Sequence, residues 1–299
     1  MNTMNSSTEK KYEKNIGSLQ IYECYKKSPF LSYKHSSYFQ VYAELLEQYR
    51  NKPITFVEIG VANGGSLFMW REYFGESARI IGIDNNPQAK KWEEHGFEIY
   101  IGSQTDTLFL DELFQKVGDV DVVLDDGGHT YEQQIVTAYV SIPHIKDGGL
   151  LIVEDTHTSY MKEFGYPSKY TFVEWTKTLI DCINERFPLV KKSTLPYNAS
   201  IYSISIYASI VSFKIHREKC FESTMTTNDG VSVNAECFRY KGSAISRIYS
   251  VSESVFRNIK KYFPIAGKIH FLIEFKNILM DRIIYIYSKL TLRKLKKYF

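Results

Sequence analysis

The stretch Glu58-Ile59-Gly60-Val61-Ala62-Asn63-Gly64-Gly65-Ser66 leads from the end of a short β-rich run, residues 54–60, into a segment with helical spacing, residues 66–74. Glycine at such a turn lets the backbone approach a ligand closely, because it has no Cβ atom. The same residues would also suit a tight turn followed by a helix N-cap, and a glycine motif alone is a weak signal. The pattern on either side of the turn therefore decides the fold.

Strand-like runs continue after this turn and alternate with helical patterns. The further runs lie at residues 79–84, 98–101, 121–126, 149–155, 201–206 and 210–215. Helical patterns separate most of them, at residues 107–117, 131–142 and 172–187, with a short helix opened by Pro87. This alternation predicts an α/β fold, a Rossmann-like seven-stranded and mostly parallel sheet with helices on both faces. The last two runs are close enough to form an antiparallel pair at a sheet edge.

The composition is that of a folded protein, with 44% hydrophobic and 24% charged residues among 299. It excludes disorder over most of the length, as well as collagen-like and disulfide-scaffold classes. The four cysteines are scattered without a C-x-x-C pair, and the polar N-terminus lacks the apolar region of a signal peptide. We therefore expect a cytoplasmic protein.

The net charge of +3 hides an uneven distribution. Residues 256–299 carry 11 Lys or Arg against two acids, a net charge of +9, so residues 1–255 sum to −6. We therefore divide the chain into an N-terminal helical cap at 1–50, a core at 51–216 and a C-terminal basic helical extension at 217–299. The cap is predicted from helical spacing over residues 21–50, and its His35 and Tyr38 are candidate pocket residues.

The basic extension combines Lys and Arg with aromatic and aliphatic residues at helical spacing, in residues 255–263 and 269–299. A basic amphipathic helix is typical of a segment that contacts a membrane surface or a partner. The pattern equally suits packing on its own domain or in a homo-oligomer, and these alternatives stay open. The body shows no nucleic-acid recognition module or basic stripe, so no nucleic-acid partner is expected.

Acidic residues stand where the predicted strands end, and parallel sheets bind ligands outside those ends. They are Glu58, Asp84, Asp125, Asp126, Glu154 and Asp155. Asp84 lies 24 residues after Gly60, where a carboxylate can accept hydrogen bonds from ribose hydroxyls. Glu58 can support the ammonium-bearing amino-acid tail of a cofactor. Ala62 stands where a dinucleotide-binding motif has its middle glycine, so the grip on a pyrophosphate is incomplete. These features favour S-adenosylmethionine, with NAD as the competing cofactor.

The ends of the fourth and fifth strands carry a second group of functional candidates. Asp125-Asp126-Gly127-Gly128-His129 and Glu154-Asp155 are expected to converge, and clustered carboxylates repel one another unless a cation is present. An all-oxygen set suits Mg²⁺. His129, three residues after Asp126, can take a proton from a substrate hydroxyl near neutral pH.

These motifs resemble those of class I S-adenosylmethionine-dependent methyltransferases over residues 54–216. Glu58 to Ser66 resembles the first motif of that class, Asp84 its ribose acid, and residues 102–106 its adenine-side loop. The resemblance implies a set of cofactor-binding residues. They are Glu58, Gly60, Ala62, Gly64, Ser66, Asp84, Gln104 and Asp125.

A narrower resemblance is to the metal-dependent sugar O-methyltransferases of macrolide biosynthesis. Their Asp-Asp-Gly-Ser-His and Glu-Asp-Thr-x-Thr-Ser-Tyr patterns appear here with Gly128 in place of Ser and His157 at the variable position. The resemblance implies Mg²⁺ held by Asp126, Glu154 and Asp155, with His129 as general base. It extends to a bacterial group related to cephalosporin hydroxylases, so it leaves the acceptor open.

The residues and these resemblances together imply an S-adenosylmethionine-dependent, Mg²⁺-assisted O-methyltransferase that acts on a hydroxyl of a sugar or a related small metabolite. Two alternatives come from other classes. An NAD- or iron-dependent oxidoreductase is one, because His129 and His157 leave room for the two histidines and one carboxylate that iron oxygenases use. A nucleoside-binding protein without turnover is the other, and the intact set of carboxylates and histidine argues against it.

Overall fold

The computed structural model describes residues 17, 19–193, 195–231, 233, 247–248, 250–252, 254–255, 257–258 and 266–298. The chain divides into two compact units, residues 1–225 and 226–299. The first unit holds the predicted N-terminal cap and the predicted core, and the second holds most of the predicted basic extension.

A seven-stranded sheet forms the centre of the first unit. Its strands are β1 (Thr55–Ile59), β2 (Arg79–Asp84), β3 (Glu98–Ile101), β4 (Val120–Asp125), β5 (Ile145–Val153), β6 (Ile201–Tyr207) and β7 (Ile210–Ile215). The spatial order is β3-β2-β1-β4-β5-β7-β6. The first five strands are parallel, and β7 runs antiparallel to both β5 and β6. The predicted fold class and the predicted antiparallel pair are confirmed.

Helices cover both faces of this sheet. They are α1 (Gln20–Lys27), α2 (Tyr38–Leu46), α3 (Gly65–Phe74), α4 (Thr107–Val117), α5 (Tyr131–Ser141) and α6 (Phe172–Asn184). Pro87 opens a 3₁₀ helix, Pro87–His95, where proline fits because its missing N–H is not needed. One buried cluster includes Phe56 and Trp70, and a second includes Val57 and Phe114.

Strand alternation decides on which face each strand-end acid lies. Successive side chains of a strand point to opposite faces. In β5, Ile152 belongs to the cluster of Phe56 and Val153 to the cluster of Val57, so Glu154 continues on the face of Ile152. Ile59 pairs with Asp125 and Asp125 pairs with Val153, so the residues that follow these strands lie side by side.

The N-terminal helical prediction over residues 21–50 needs a correction. Helix α1 ends at Lys27 and α2 begins at Tyr38, and the segment between them is not helical. Pro29 is the physical reason, because its ring disfavours helical geometry at the preceding residue, and Ser28 is extended with ψ 129°. The ten-residue segment 28–37 leads across the end of the sheet that carries the functional candidates.

The second unit contains a long helix, α7 (Ala266–Leu295), followed by a 3₁₀ turn, Lys296–Tyr298. Helical structure is confirmed over most of the predicted segment 269–299. The predicted helical segment 255–263 lies partly outside the described residues, since 256 and 259–263 are among those not described. Within the described part of the chain, none of the helices is both long and apolar enough to cross a membrane.

Candidate active site

A cavity of about 800 Å³ opens at the carboxyl ends of β1, β2, β3, β4 and β5. This volume lies in the range of small-molecule sites. The loops after those five strands form its floor, and residues 31–35 with Tyr25 and Tyr38 form a wall from the N-terminal cap. Nine of the twelve predicted site residues line the cavity. They are Gly60, Ala62, Ser66, Asp84, Gln104, Asp126, His129, Glu154 and Asp155.

The glycine turn after β1 has backbone geometry that requires glycine at two positions. Gly60 has φ +94° and Gly64 has φ +79°. A Cβ atom on Gly60 would lie 2.1 Å from the carbonyl oxygen of Asp126, and one on Gly64 would lie 2.3 Å from the Trp92 ring. Gly60 therefore allows the turns after β1 and β4 to approach each other at the cavity floor. Gly64 lies behind the cavity wall.

Glu58 is fully buried and does not line the cavity. Its Oε2 accepts a hydrogen bond from the Ser66 hydroxyl at 2.8 Å, and its Oε1 accepts one from the Trp70 indole N–H at 2.9 Å. Burial raises the pKa of Glu58 to about 7, against the opposing effects of the Lys34 charge and these two donors. The predicted contact between Glu58 and a cofactor stays a prediction, and the geometry supports an indirect route through Ser66.

Asp84 faces the cavity from the end of β2 and holds the glycine turn. Its Oδ2 accepts hydrogen bonds from the backbone N–H groups of Val61 and Ala62 at 2.9 and 3.0 Å, and its Oδ1 accepts one from Asn86 N–H at 2.8 Å. A carboxylate offers about four acceptor positions. Three of them serve the backbone, which leaves room for about one further hydroxyl donor from a ligand.

Gln104 and Asp125 form one buried unit on the side of α5. The Gln104 amide donates to Asp125 Oδ1 at 3.0 Å and to Thr137 Oγ1 at 3.1 Å, while its oxygen accepts from Gly128 N–H at 2.8 Å. Burial raises the pKa of Asp125 to about 6, and hydrogen bonds from Gly127, Gln104 and Thr137 limit the rise. Asp125 Oδ2 is buried and has no partner among the described residues. Asp125 thus supports the loop from behind the cavity wall.

Asp126 and Glu154 meet across a lysine ammonium group. Lys34 Nζ donates to Asp126 Oδ2 at 2.6 Å and to Glu154 Oε2 at 3.0 Å, and the Lys34 side chain is 1% exposed. The Tyr42 hydroxyl donates to the other oxygen of Glu154. Burial would lower the pKa of Lys34, but the charges of Asp126 and Glu154 outweigh it and raise that pKa well above its ordinary value. Lys34 is therefore a charged group at the centre of the site.

Asp155 and His129 lie on the open side of this cluster. His129 Nε2 is 3.3 Å from Asp155 Oδ2 and 3.9 Å from Asp126 Oδ1. The Tyr38 hydroxyl donates to Asp155 Oδ1 at 2.5 Å. Asp126, His129 and Asp155 each offer one ligand atom within 4.8 Å of the others, a spacing that fits a divalent ion. Both Glu154 oxygens already have partners, so Glu154 lies next to this group without belonging to it.

A second group with ligand spacing shares Asp155 and adds His35 and His157. His35 Nε2 is 3.6 Å and His157 Nδ1 is 3.8 Å from Asp155 Oδ1. Two imidazoles and one carboxylate are the ligands that non-haem iron uses, which is the arrangement the oxidoreductase alternative requires. However, Asp155 Oδ1 also accepts the Tyr38 hydroxyl, and His157 Nδ1 contacts the Ser209 hydroxyl.

Two residues of the site were not found from the sequence as functional groups. Lys34 and Tyr42 both contact Glu154, across 120 and 112 residues of chain. A buried lysine requires a paired carboxylate, and the excess of acids at the strand ends was a signal that a cation lies among them. The candidate pocket residues His35 and Tyr38 do line the cavity.

The comparisons with known proteins assign this arrangement to a class. Residues 57–156, from the middle of β1 to just beyond β5, match the family described as a methyltransferase domain. This match covers about a third of the chain, and together with the strand order it shows that residues 57–156 are similar to a methyltransferase domain and lie in a Rossmann-like sheet.

The curated relatives that the chain resembles are O-methyltransferases by name. The chain is 31% identical over 157 residues to the demethylmacrocin O-methyltransferase of Streptomyces fradiae. This match covers 48% of this chain and 39% of that protein. It is 34% identical over 136 residues to the 8-demethyl-8-alpha-L-rhamnosyl tetracenomycin-C 2'-O-methyltransferase of Streptomyces olivaceus, covering 43% of this chain and 35% of that protein. The chain thus spans less than two fifths of the length of either relative.

A solved structure agrees with these relatives. The MycE methyltransferase from the mycinamycin biosynthetic pathway, in complex with Mg, SAH and mycinamycin VI, is 26% identical. The match has a TM-score of 0.59 and covers 67% of this chain and 53% of that chain. The predicted resemblance to the macrolide-sugar O-methyltransferases is confirmed.

Proposed function

We propose that this protein is an S-adenosylmethionine-dependent O-methyltransferase that acts on a hydroxyl of a sugar or a sugar-like metabolite with the help of Mg²⁺. The observation that carries the proposal is the convergence of Asp84, Asp126, His129 and Asp155 on one cavity. The similarity to an O-methyltransferase named for a rhamnosyl tetracenomycin-C supports the class of acceptor.

The cofactor residues fall into two roles. Asp84 faces the cavity, and its remaining acceptor position suits one ribose hydroxyl. The Gly60 turn lets the cofactor approach the backbone, while Gln104 and Asp125 fix the loop after β4. Glu58 holds Ser66 at the wall and acts on the cofactor through that side chain.

The residues present fit a divalent metal ion held through carboxylate oxygens. Asp126 and Asp155 are the carboxylates at ligand spacing, and His129 lies beside them. Bound Mg²⁺ would lower the pKa of an acceptor hydroxyl and orient it. Glu154, the third ligand predicted from the sequence, is held by Lys34 and Tyr42.

The chain's own residues then supply orientation and a base. The acceptor oxygen forms its new bond to the methyl carbon as the bond from that carbon to sulfur breaks, and the hydroxyl proton passes to His129. The products are a methyl ether, S-adenosylhomocysteine and protonated imidazole, which returns its proton to water. Asp155, 3.3 Å from His129 Nε2, stabilises the imidazolium that forms. Alignment of the acceptor in the cavity contributes most of the rate.

The direct test uses the full chain with S-adenosylmethionine, Mg²⁺ and a panel of glycosides that carry free sugar hydroxyls. We expect S-adenosylhomocysteine and an acceptor heavier by one CH₂ group, both measured by mass spectrometry, and no product in EDTA. Oxidation of a glycoside without S-adenosylhomocysteine would overturn the proposal in favour of the oxidoreductase. Calorimetric binding of S-adenosylhomocysteine without turnover on any acceptor would favour the nucleoside-binding alternative.

We also propose that helix α7 contacts anionic membrane surfaces. It spans Ala266–Leu295, and its exposed apolar side chains stand among exposed basic ones. The apolar ones include Ile278, Ile284, Ile286 and Leu292, and the basic ones include Arg282, Lys289 and, just beyond, Lys296. Exposed basic side chains attract anionic lipids, and exposed apolar side chains gain from burial in the bilayer interface. Self-association, the absence of a nucleic-acid partner and a cytoplasmic location stay predictions.

A further inference from the structure

Lys34 is the one Lys or Arg among the described residues that line the cavity. Its ammonium group lies between Asp126 and Glu154, two of the three carboxylates that the sequence assigns to the metal. An ammonium group is positively charged, as Mg²⁺ is. Its position therefore limits which carboxylates can bind a metal ion. This question rests on the proposed function, because it concerns the metal of that same site.

The distances decide whether both cations can be present between these two carboxylates. Mg²⁺ binds carboxylate oxygens at 2.0–2.1 Å. Lys34 Nζ lies 2.6 Å from Asp126 Oδ2 and 3.0 Å from Glu154 Oε2, so an ion that bridges these two oxygens would require the space that the ammonium fills. Repulsion between the two positive charges adds to the steric conflict.

The surroundings hold Lys34 in this place. The segment that carries it is attached at several points, because the Ser28 hydroxyl donates to the Gly65 carbonyl at 2.7 Å and the Tyr25 hydroxyl donates to the Ser32 carbonyl at 2.9 Å. The ammonium also lies 5.8 Å from the centre of the Tyr42 ring. Withdrawal of Lys34 would leave Glu154 buried with one donor instead of two, which is costly for a charged group.

We infer that Lys34 is the resident cation of the Asp126–Glu154 pair and excludes divalent ions from it. A divalent ion would then be held by Asp126 and Asp155, beside His129, and Glu154 is not a metal ligand while Lys34 is present. Lys34 is therefore a positioning residue that sets the composition of the metal site. Its removal would open a further carboxylate ligand.

The test measures binding of Mn²⁺ alone by electron paramagnetic resonance, so it does not depend on an acceptor. Lys34→Met removes the charge and keeps a side chain of similar length. We expect it to tighten Mn²⁺ binding by about tenfold, because Asp126 and the buried Glu154 would both become available to the ion. In the double variant Lys34→Met with Glu154→Gln, most of that gain should vanish. Lys27→Met is the matched control, since Lys27 is 64% exposed and paired with Glu72, and it should leave the Kd unchanged.

A second arm does not depend on whether Lys34→Met folds. In the otherwise unchanged chain, Glu154→Gln should leave the Mn²⁺ affinity within about twofold, because Glu154 is not a ligand there. Loss of about tenfold in affinity in this variant would overturn the inference, as would unchanged or weaker binding in a folded Lys34→Met protein. Absence of Mn²⁺ binding in every variant would also overturn it. Calorimetric binding of S-adenosylhomocysteine by the same proteins tests the methyltransferase proposal separately.

Discussion

His129 and Asp155 approach each other across the cavity mouth, with 3.3 Å between His129 Nε2 and Asp155 Oδ2. Both residues have left-handed backbone geometry, with φ +59° and φ +54°. Residues other than glycine rarely adopt this conformation, and strain of this kind is concentrated at functional sites. The two loops after β4 and β5 thus hold an imidazole and a carboxylate together at a cost in backbone energy.

The first prediction concerns His129 as the base. His129→Asn should lower kcat by about 10²–10⁴, the usual contribution of general acid–base catalysis. Asn tolerates the left-handed conformation better than Ala, so this change separates the chemistry from backbone strain. Binding of S-adenosylhomocysteine, measured by calorimetry, should stay within about twofold of the wild type. His144→Asn, which alters the His144–Asp111 ion pair outside the cavity, is the control. Unchanged kcat in His129→Asn would move the base elsewhere.

The second prediction concerns Asp155 as a metal ligand. Asp155→Asn should weaken Mn²⁺ binding by about tenfold or more, because an amide oxygen lacks the carboxylate charge that a hard cation prefers. Excess metal should partly restore turnover, and EDTA should abolish wild-type activity reversibly. Asp111→Asn, at a half-exposed position outside the cavity, serves as control. Full activity of the wild type in EDTA, with its true acceptor, would remove the metal from the mechanism.

The third prediction concerns the cofactor. Asp84→Ala should weaken S-adenosylmethionine binding by about 1.5–3 kcal/mol, which is the range for lost hydrogen bonds to a charged group. Part of this loss would come from a less stable glycine turn, because Asp84 accepts hydrogen bonds from the backbone N–H groups of Val61 and Ala62. Asp106→Ala removes the N-cap acceptor of α4 and supplies the comparison for a general loss of helix stability. Equal affinities of the wild type and Asp84→Ala in calorimetry would place the ribose elsewhere.

Much of the site was predictable from local sequence because strand alternation and strand-end positions are local properties. The parallel register of β1, β4 and β5 brings Asp126 and Glu154 side by side once the order of strands is known. The same rule did not reveal that Glu58 points away from the cavity. That outcome depends on Ser66 and Trp70, which offer donors to both of its oxygens from the first turns of α3.

The roles of Lys34 and Tyr42 could not be found in this way. Their contacts with Glu154 cross more than a hundred residues of chain, and no local period reports a contact of that length. Moreover, the helical prediction over residues 21–50 includes Pro29. It therefore misses the non-helical segment on which Lys34 lies. A proline within a helical pattern was the signal that could have exposed this segment.

The fourth prediction concerns helix α7. Replacement of Arg282, Lys289 and Lys296 by Glu should reduce binding to anionic phosphatidylserine vesicles at low salt, since each basic residue near such a surface contributes about 1 kcal/mol. The same residues changed to Gln should give an intermediate loss. Sedimentation with vesicles measures the bound fraction, and neutral vesicles are the control. A wild-type protein that does not bind anionic vesicles would contradict the membrane proposal.

The last prediction concerns the buried Glu58 and the pH dependence of stability. Burial raises its pKa from about 4.5 to about 7 in the folded protein. Below pH 4.5 the group is protonated in both states. Between these values the folded state keeps a proton that the unfolded state releases, so the free energy of unfolding falls as pH rises. Above about pH 7 the group is ionised in both states and the loss is complete.

The size of this effect follows from the shift. At 1.36 kcal/mol for each pKa unit, the wild type should lose about 3 kcal/mol of stability between pH 4.5 and 7. Glu58→Gln cannot titrate, so its stability relative to the wild type should rise by that amount over the same interval, as measured by urea unfolding at several pH values. Glu112→Gln, at an exposed position of α4, provides the comparison for a surface glutamate. Parallel pH profiles of the wild type and Glu58→Gln would show that Glu58 is not a buried titrating group.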